Sequence, residues 1–360
     1  MAPICVAVAG AGAFGRNHLR VYRELETAVP QDIQLAALVD ADPATRSEAS
    51  ARYAIPAFGS IDDLLASGIA IDAASVCVPT IHHAAVAEQL LQAGADVLIE
   101  KPFAASLQEA DRILELASAL GRVVQVGHLE RFNPAVIAVE PLLNQPMFFE
   151  SHRLSIFTPR SLDVDVVLDL MIHDLDIVLQ LARSPIRELR AVGLPVLSGK
   201  VDIANVRVEF ESGCIANFTA SRVSTEQVRK LRFFQRRQYL SLDFARQELL
   251  TIEVSAAAAA AMNDPGTAEA ALAVFNQANV GRALQSGTEA TPLPHPSAGL
   301  SLHKFALEKS EPLRLEIENF LSAIRTRSTP RVTGAHGRAA LALALDINAA
   351  IAEHARRAGL

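Results

Sequence analysis

Two textures of apolar residues alternate along the first third of this chain. Short continuous runs, rich in Val, Ile and Leu, stand at Ile4–Ala9, Gln34–Val39, Ala73–Val78, Val97–Glu100 and Val123–Val126. Between them apolar positions recur at helical spacing, from Gly15 to about Leu25, over Pro43–Tyr53, over His83–Ala93, and over Ser106–Leu120 with Ser106 as the expected N-cap. Strands that are apolar at nearly every position have no wet face. This order therefore predicts a parallel sheet covered by helices on both sides.

The pattern changes after about Asn144. Val201–Phe210 alternates, with Ile203, Val206, Val208 and Phe210 set against Asp202, Asn205, Arg207 and Glu209 and a slip near Ala204. A turn, Glu211-Ser212-Gly213, leads into Cys214–Ser221, which predicts an antiparallel hairpin. Leu231–Phe234 and Tyr239–Phe244 predict a second one. The later part of the chain thus reads as an open, mostly antiparallel sheet. Ala-, Gly- and Pro-rich sequence marks 252–302 as a loop insertion, and helical patterns over Glu311–Ile324 and Gly337–Ala355 close the chain. The expected division is 1–128 and 129–360, with the closing helices free to pack back on the first domain.

One apolar run breaks the usual rules. Val166 to Val178 reads Val-Val-Leu-Asp-Leu-Met-Ile-His-Asp-Leu-Asp-Ile-Val. At about 100° per residue, Asp169, His173, Asp176 and Gln180 fall on one narrow stripe, and almost every other direction is apolar. An ordinary surface helix carries an apolar stripe on a polar body. The inversion predicts a mostly buried helix with one polar edge turned toward chemistry, Asp174 lying off that edge as a structural hydrogen-bonding group.

Totals narrow the function classes. The chain has 360 residues and a formal net charge of -7. That balance argues against a nucleic-acid binder, which needs a Lys/Arg-rich face. The basic cluster Arg229-Lys230-Leu231-Arg232 with Arg236-Arg237 is small enough to be a solvated strand face, an anionic-ligand contact or a subunit contact. Cys5, Cys77 and Cys214 lack metal-ligand spacing and read as small packing residues of a reducing compartment, so no metal site is expected. No Lys or Arg precedes Arg16, and no uninterrupted apolar run has membrane length, so a soluble cytoplasmic protein without a membrane partner is expected.

The first strand runs directly into Gly10-Ala11-Gly12-Ala13-Phe14-Gly15, and a helix follows. In that position GxGxxG is a dinucleotide turn. Gly10 permits the tight turn, Gly12 lets backbone reach a pyrophosphate, Gly15 allows close helix–strand contact, and the helix N-terminus favours the phosphate charge, with Ala13 and Phe14 beside it. Asp40 ends the second strand, where a carboxylate accepts the adenosine-ribose hydroxyls and repels a 2′-phosphate. Ala41-Asp42 supplies no cation, so NAD is favoured over NADP. Alternatively, Asp40 caps the helix beginning near Pro43. The fold class is therefore α/β, a Rossmann dinucleotide-binding domain plus a C-terminal α+β domain with an open, mostly antiparallel sheet.

Leu98-Ile99-Glu100-Lys101-Pro102 lies at the carboxyl edge of the sheet, where ligands bind. With the dinucleotide turn before it, this segment resembles the Glu-Lys-Pro motif of the Gfo/Idh/MocA oxidoreductases. Cys77-Val78-Pro79-Thr80-Ile81-His82-His83 looks like that family's strand-end segment, with His83 in its usual His position, and Asp169-xxx-His173 looks like its catalytic helix. The resemblance covers nearly the whole chain outside roughly 252–302. It implies cofactor contacts from Gly10, Gly12, Ala13, Phe14, Gly15, Asp40, Pro79, Thr80, His83, Glu100, Lys101 and Pro102. It also implies catalysis by Lys101, Asp169 and His173. In one assignment His173 takes the hydroxyl proton while Lys101 holds the reacting oxygen; in the other Lys101 is the base and His173 orients it. Asp169, one turn before His173, tunes it or binds a sugar hydroxyl.

Gly127-His128-Leu129-Glu130-Arg131-Phe132-Asn133-Pro134 follows the last strand of the first domain, and Arg153 and Arg160 precede the polar-edged helix. His128, Arg131, Asn133, Arg153 and Arg160, with Asp169 and His173, are the expected substrate contacts, the arginines as planar donors to phosphate or carboxylate. These segments look like a narrower branch of the family, whose members oxidise the C3 hydroxyl of UDP-N-acetylglucosamine. The implied pathway partner is a PLP aminotransferase acting on the ketone, toward diamino sugars of lipid A, and the implied assembly is a homodimer or homotetramer. Two other readings stand beside it: an NAD(P)-dependent dehydrogenase of a free sugar, an inositol or a UDP-hexuronic acid, and a non-catalytic ligand sensor on the same fold.

Overall fold

In the computed structural model, residues 2–157, 164–255, 259 and 300–359 are described. They form two compact units, Met1–Phe132 with Ser310–Leu345, and Asn133–Lys309 with Asp346–Leu360. The first unit thus runs past residue 128 to Phe132 and takes in residues 310–345.

That first unit alternates strand and helix: β1 (Ile4–Ala9), α1 (Gly15–Ala28), β2 (Ile33–Val39), α2 (Pro43–Tyr53), β3 (Ala57–Phe58), α3 (Ile61–Ala66), β4 (Ala73–Val76), α4 (His83–Gln92), β5 (Asp96–Glu100), α5 (Leu107–Ala119) and β6 (Val124–Gly127). All sheet pairings are parallel, in the order β3-β2-β1-β4-β5-β6. Every residue of β4, β5 and β6 is buried, as their unbroken apolar texture requires. The strand order reverses between β1 and β4, which opens the crevice where such folds take ligands. Caps set the helix starts: Asp42 accepts the Thr45 N–H at 2.7 Å ahead of α2, and Ser106 accepts the Glu109 N–H at 3.2 Å ahead of α5.

Sequence texture alone does not reveal β3 and α3, which are too short to show a period. A late helix also belongs to this unit's core. Ile317, Phe320, Leu321 and Ile324 are buried in one cluster with Leu19 and Tyr22 of α1.

In the second unit the chain forms α6 (Pro134–Val139), β7 (Phe148–Ile156), α7 (Ile172–Ala182), β8 (Ile186–Leu194), β9 (Ile203–Phe210), β10 (Ile215–Ser224), β11 (Val228–Gln235), β12 (Gln238–Asp243), β13 (Glu248–Val254) and β14 (Leu300–Lys304). These eight strands form one sheet in the order β14-β13-β12-β11-β7-β10-β9-β8. Both expected hairpins are present, β9 with β10 and β11 with β12. Only β7 and β10 pair in parallel. α8 (Pro312–Thr326) and α9 (Gly334–Ala358) follow.

Burial alternates along β7, so Phe149, Ser151 and Arg153 face the covered side and Glu150 and His152 the open side. Of the basic cluster, Lys230 and Arg232 fall on that open face, where Arg232 pairs with Glu150 at 2.8 Å and Lys230 with Asp243 at 3.9 Å. Arg229 alternates to the other side, and Arg236-Arg237 form the turn between β11 and β12. The expected loop 252–302 is narrower than its composition suggests. Ile252, Glu253 and Val254 pair with Leu302, Ser301 and Leu300, and the rest of that span, 259 apart, lies outside the described residues from 256 onward.

A buried carboxylate shapes the turn from β8 to β9. Asp202 accepts N–H groups of Val196, Leu197 and Ser198 at 2.8, 2.6 and 2.8 Å, and the Ser198 hydroxyl at 2.6 Å. Burial alone would raise its pKa, but the Ser198 contacts and the Leu197 and Val196 N–H groups outweigh it and hold the carboxyl well below the usual range. A depressed carboxyl pKa stabilises the fold fully above the unfolded value of about 4, and the contribution fades as pH falls through the folded value. Asp202→Asn should therefore cost about 2 kcal/mol at neutral pH and flatten the acid limb of the stability curve. Urea melts of both proteins between pH 7 and pH 2.5 check this; parallel curves would refute it.

Candidate functional site

Construction of the dinucleotide turn follows from atomic contact. Gly10 has φ +93, and a Cβ there would lie 2.6 Å from the Cys77 carbonyl oxygen. A Cβ on Gly15 would lie 1.8 Å from the Gly10 carbonyl oxygen. Both positions therefore demand glycine. Around Gly12 nothing lies within 4 Å of where a Cβ would sit, which leaves backbone open to a ligand. Phe14, beside it, is 38% exposed despite its size.

Asp40 is part of the same construction. Its Oδ2 accepts the Ala11 N–H at 2.7 Å and its Oδ1 the Asp42 N–H at 2.9 Å, so it ties the end of β2 to the glycine turn. It does not cap α2; Asp42 does. Arg46 donates to the Asp40 carbonyl oxygen at 2.8 Å, a cation one helix turn on that the pair Ala41-Asp42 gave no hint of. The open Gly12 backbone, the α1 N-terminus and the Asp40 carboxylate fit a dinucleotide with its pyrophosphate at the turn and its ribose at β2.

Across the crevice stand the loops that follow β4 and β5. A single turn of tight helix, Thr80–His82, follows Pro79, and Ile81 on it is 71% exposed. His83 is buried and ties the two loops together: Nδ1 lies 2.9 Å from the Pro102 carbonyl oxygen and Nε2 2.9 Å from that of Val78. Burial lowers its pKa, outweighing the two carbonyls, so the ring stays neutral near pH 7 and donates to one carbonyl at a time. The ring is a tie beneath the loops. Lys101 is half-buried, between the buried Glu100 and Pro102, and the Lys101–Pro102 peptide is cis.

The sequence reading missed the groups under Glu100. His18 Nε2 lies 2.9 Å from Glu100 Oε1, His18 Nδ1 3.0 Å from Ser75 Oγ, and Tyr22 Oη 2.8 Å from Ser75 Oγ. One signal was available: a His three residues after Gly15, on the α1 face that must turn inward for the close helix–strand contact. Cys77 Sγ joins His18 and Glu100 within 4.8 Å. Burial, then the carboxylates of Glu100 and Glu316, push its thiol well above the ordinary value, and both His18 nitrogens are already engaged, so the cluster is a hydrogen-bonded core. Cys214 is buried, whereas Cys5 and Cys77 are half-buried.

In the second unit the polar-edged helix opens with a wide turn. Val167–Met171 is π-helical, and the Ile172 N–H reaches back to the Val167 carbonyl. Asp165 Oδ1 accepts the N–H groups of Val167 and Leu168 at 2.9 and 3.0 Å, and Asn348 holds its other oxygen at 3.0 Å. Such turns recur at functional sites, and this one changes the angular step just where Asp169 sits. Asp169, His173 and Gln180 are half-buried, as a usable polar edge requires, whereas Asp176 on the same stripe is 3% exposed.

Two of the expected substrate contacts have structural partners. Arg153 meets Asp174 with two nitrogens, at 2.8 and 3.0 Å, both side chains being nearly inaccessible, and its guanidinium lies over the Phe244 ring. The pair rivets β7 to α7, which gives Asp174 the structural role expected of it. Asn133 caps α6, accepting the Ala135 N–H at 3.1 Å and donating to the Phe244 carbonyl at 3.0 Å. His128 and Arg131, in the first unit, are buried rather than presented on a surface, and the Arg131 carbonyl accepts from Arg331 at 2.9 Å. Arg160 lies outside the described residues.

Asp174→Asn should lower stability by about 3 kcal/mol, because it leaves the Arg153 charge buried without its counter-ion. The denaturation midpoint in urea checks this, and a change below about 1 kcal/mol would mean that Arg153 is already neutralised from elsewhere.

Residues 4–128 match the Gfo/Idh/MocA oxidoreductase family, NAD-binding Rossmann fold, and residues 136–237 match the Gfo/Idh/MocA C-terminal domain. The chain is 34% identical over 345 residues to UDP-N-acetylglucosamine 3-dehydrogenase of Acidithiobacillus ferrooxidans, covering 96% of each. The solved structure of UDP-N-acetylglucosamine 3-dehydrogenase from that organism superposes with TM-score 0.80 at 32% identity, over 98% of both chains. An inositol 2-dehydrogenase of Leifsonia xyli subsp. xyli is 31% identical over 189 residues, covering 50% of this chain and 54% of the relative. No helix among the described residues is long and apolar enough to cross a membrane.

Proposed function

The chain belongs to the Gfo/Idh/MocA family of NAD-binding oxidoreductases, and from that premise we propose that it oxidises the C3 hydroxyl of UDP-N-acetylglucosamine to a ketone. The observation that carries this reading is the extent of the likeness. It spans 96% of the chain for the UDP-N-acetylglucosamine enzyme and half of it for the inositol enzyme. Likeness that runs through both units is the more telling.

When bound, NAD supplies the hydride acceptor. The glycine turn holds its pyrophosphate at the α1 N-terminus, and Asp40 holds its ribose while opposing a 2′-phosphate. His173 accepts the proton of the hydroxyl being oxidised, the general-base role that imidazole side chains fill most often. Lys101 holds the reacting oxygen and offsets the negative charge that develops on it. Asp169 orients His173 or a sugar hydroxyl. Arg131 and His128 remain assigned to the substrate, as does Arg160.

A 3-keto sugar nucleotide is the substrate type of a PLP aminotransferase, which would convert it to an amino sugar of the kind used in lipid A. The reading therefore includes such an enzyme as the consumer of the product. The open face of the large sheet is assigned to a second subunit, in a homodimer or homotetramer, and the cytoplasm is the compartment in which these nucleotide substrates are met.

Purified protein given NAD and UDP-N-acetylglucosamine, with a carbonyl reagent to draw off the ketone, should form NADH, and free N-acetylglucosamine should not. Lys101→Met should abolish the signal. NADH from inositols or free sugars alone would overturn the substrate assignment and leave the family standing. Asp40→Ser should shift the KM ratio of NAD to NADP by about ten-fold toward NADP, roughly 1.4 kcal/mol; an unchanged ratio would show that Asp40 serves only to fasten the glycine turn.

A further inference from the structure

The hydrogen bonds beneath Glu100 have a direction. A carboxylate only accepts, so His18 must donate to it from Nε2. A neutral ring then accepts at Nδ1, from the Ser75 hydroxyl, and Tyr22 in turn donates to Ser75. Burial pushes the Tyr22 hydroxyl pKa far up, so it stays a donor. The line Tyr22–Ser75–His18–Glu100 is thus an ordered run of donors ending on a carboxylate. His18 and Tyr22 are on α1, the helix whose first turn forms the dinucleotide site, while Ser75 is on β4.

Glu100 is held from three sides. His18 donates to Oε1 at 2.9 Å, and the Lys101 N–H approaches Oε2 at 3.3 Å. On β6, Gly127 leaves the room the carboxylate needs, since a Cβ there would sit 2.8 Å from it. On the other side of Lys101, His83 fixes the Pro102 carbonyl. Each neighbour of Lys101 is therefore fastened by a buried histidine, one from α1 and one from α4.

We propose that His18 is a positioning residue for Lys101: through Glu100 it fastens the loop after β5 to the helix that opens at the dinucleotide turn. The proposal rests on the assignment of Lys101 to the reacting oxygen. It gives α1 two duties, since its N-terminus meets the pyrophosphate and His18 in its first turn sets where the lysine stands. A misplacement of about 1 Å at such a group is enough to cost on the order of 100-fold in rate.

Two variants test it, His18→Phe, which fills the space without a donor, and His18→Gln, whose amide can still donate to Glu100. His18→Phe should lower kcat by about ten- to 100-fold with NAD affinity retained, and His18→Gln should recover most of the loss. Hydrogen exchange at residues 100–104 should quicken in His18→Phe while that of β1 stays as it was. Unchanged kcat and exchange in His18→Phe would overturn the proposal. So would equal losses of kcat and NAD affinity that His18→Gln fails to repair, the mark of a plain packing residue. If Lys101→Met itself leaves turnover intact, the Lys101 assignment fails, and the exchange measurement still decides whether His18 holds the loop.

Discussion

A carboxylate buried at the end of a parallel sheet is the constraint around which the first unit is arranged. Removing an ionised carboxyl from water costs several kcal/mol unless charge-assisted hydrogen bonds replace the lost hydration. Glu100 meets that demand with an imidazole from α1, a backbone N–H of its own loop, and a glycine on β6 that makes room for it. Only the N–H is local to it; the imidazole and the glycine come from other elements. The strands must be in register, and α1 must lie close to β1, before the carboxylate can be satisfied. The close α1 contact is itself permitted by Gly15, so the glycine turn and the buried acid are two requirements of one packing arrangement.

The second unit solves similar problems with similar means. Asp174 is neutralised by Arg153 across the face of the sheet, and Asp202 is wrapped by three backbone N–H groups and a hydroxyl. Asp165 sets the first turn of the polar-edged helix. Asp202 and Asp165 fix backbone that has no regular ladder to hold it, because the anion accepts several N–H groups at once and each such bond is stronger than a neutral one. Asp169 and His173 lie half-buried in the same neighbourhood.

What was legible in the sequence is what period and local spacing encode. The buried parallel strands, the glycine turn, both hairpins and the inverted helix could all be read from residues a few positions apart. Partners far apart in the chain could not. His18 and Glu100 are separated by 82 positions, and Arg153 and Asp174 by 21, with no periodicity linking either pair. The arginines read as substrate donors by residue type alone, yet the type does not say whether an acid will meet them first. Asn133 was similarly read for its amide, although Asn followed by Pro is a helix start, and it is one here. The π turn escaped because a uniform 100° step cannot contain it.

The pairing of β13 with β14 carries one further meaning. The chain leaves the sheet at Val254 and returns at Leu300, and these two residues are partners in the ladder. The departure and return points are thus pinned side by side by the sheet itself, whatever runs between them. Loop-closure entropy grows only as the logarithm of length, so each doubling of such an excursion costs about 0.6 kcal/mol. This edge of the molecule is a natural port for inserted sequence: relatives can lengthen or shorten it with little penalty, and an engineer can graft a tag or a reporter domain there while leaving both sheets as they are.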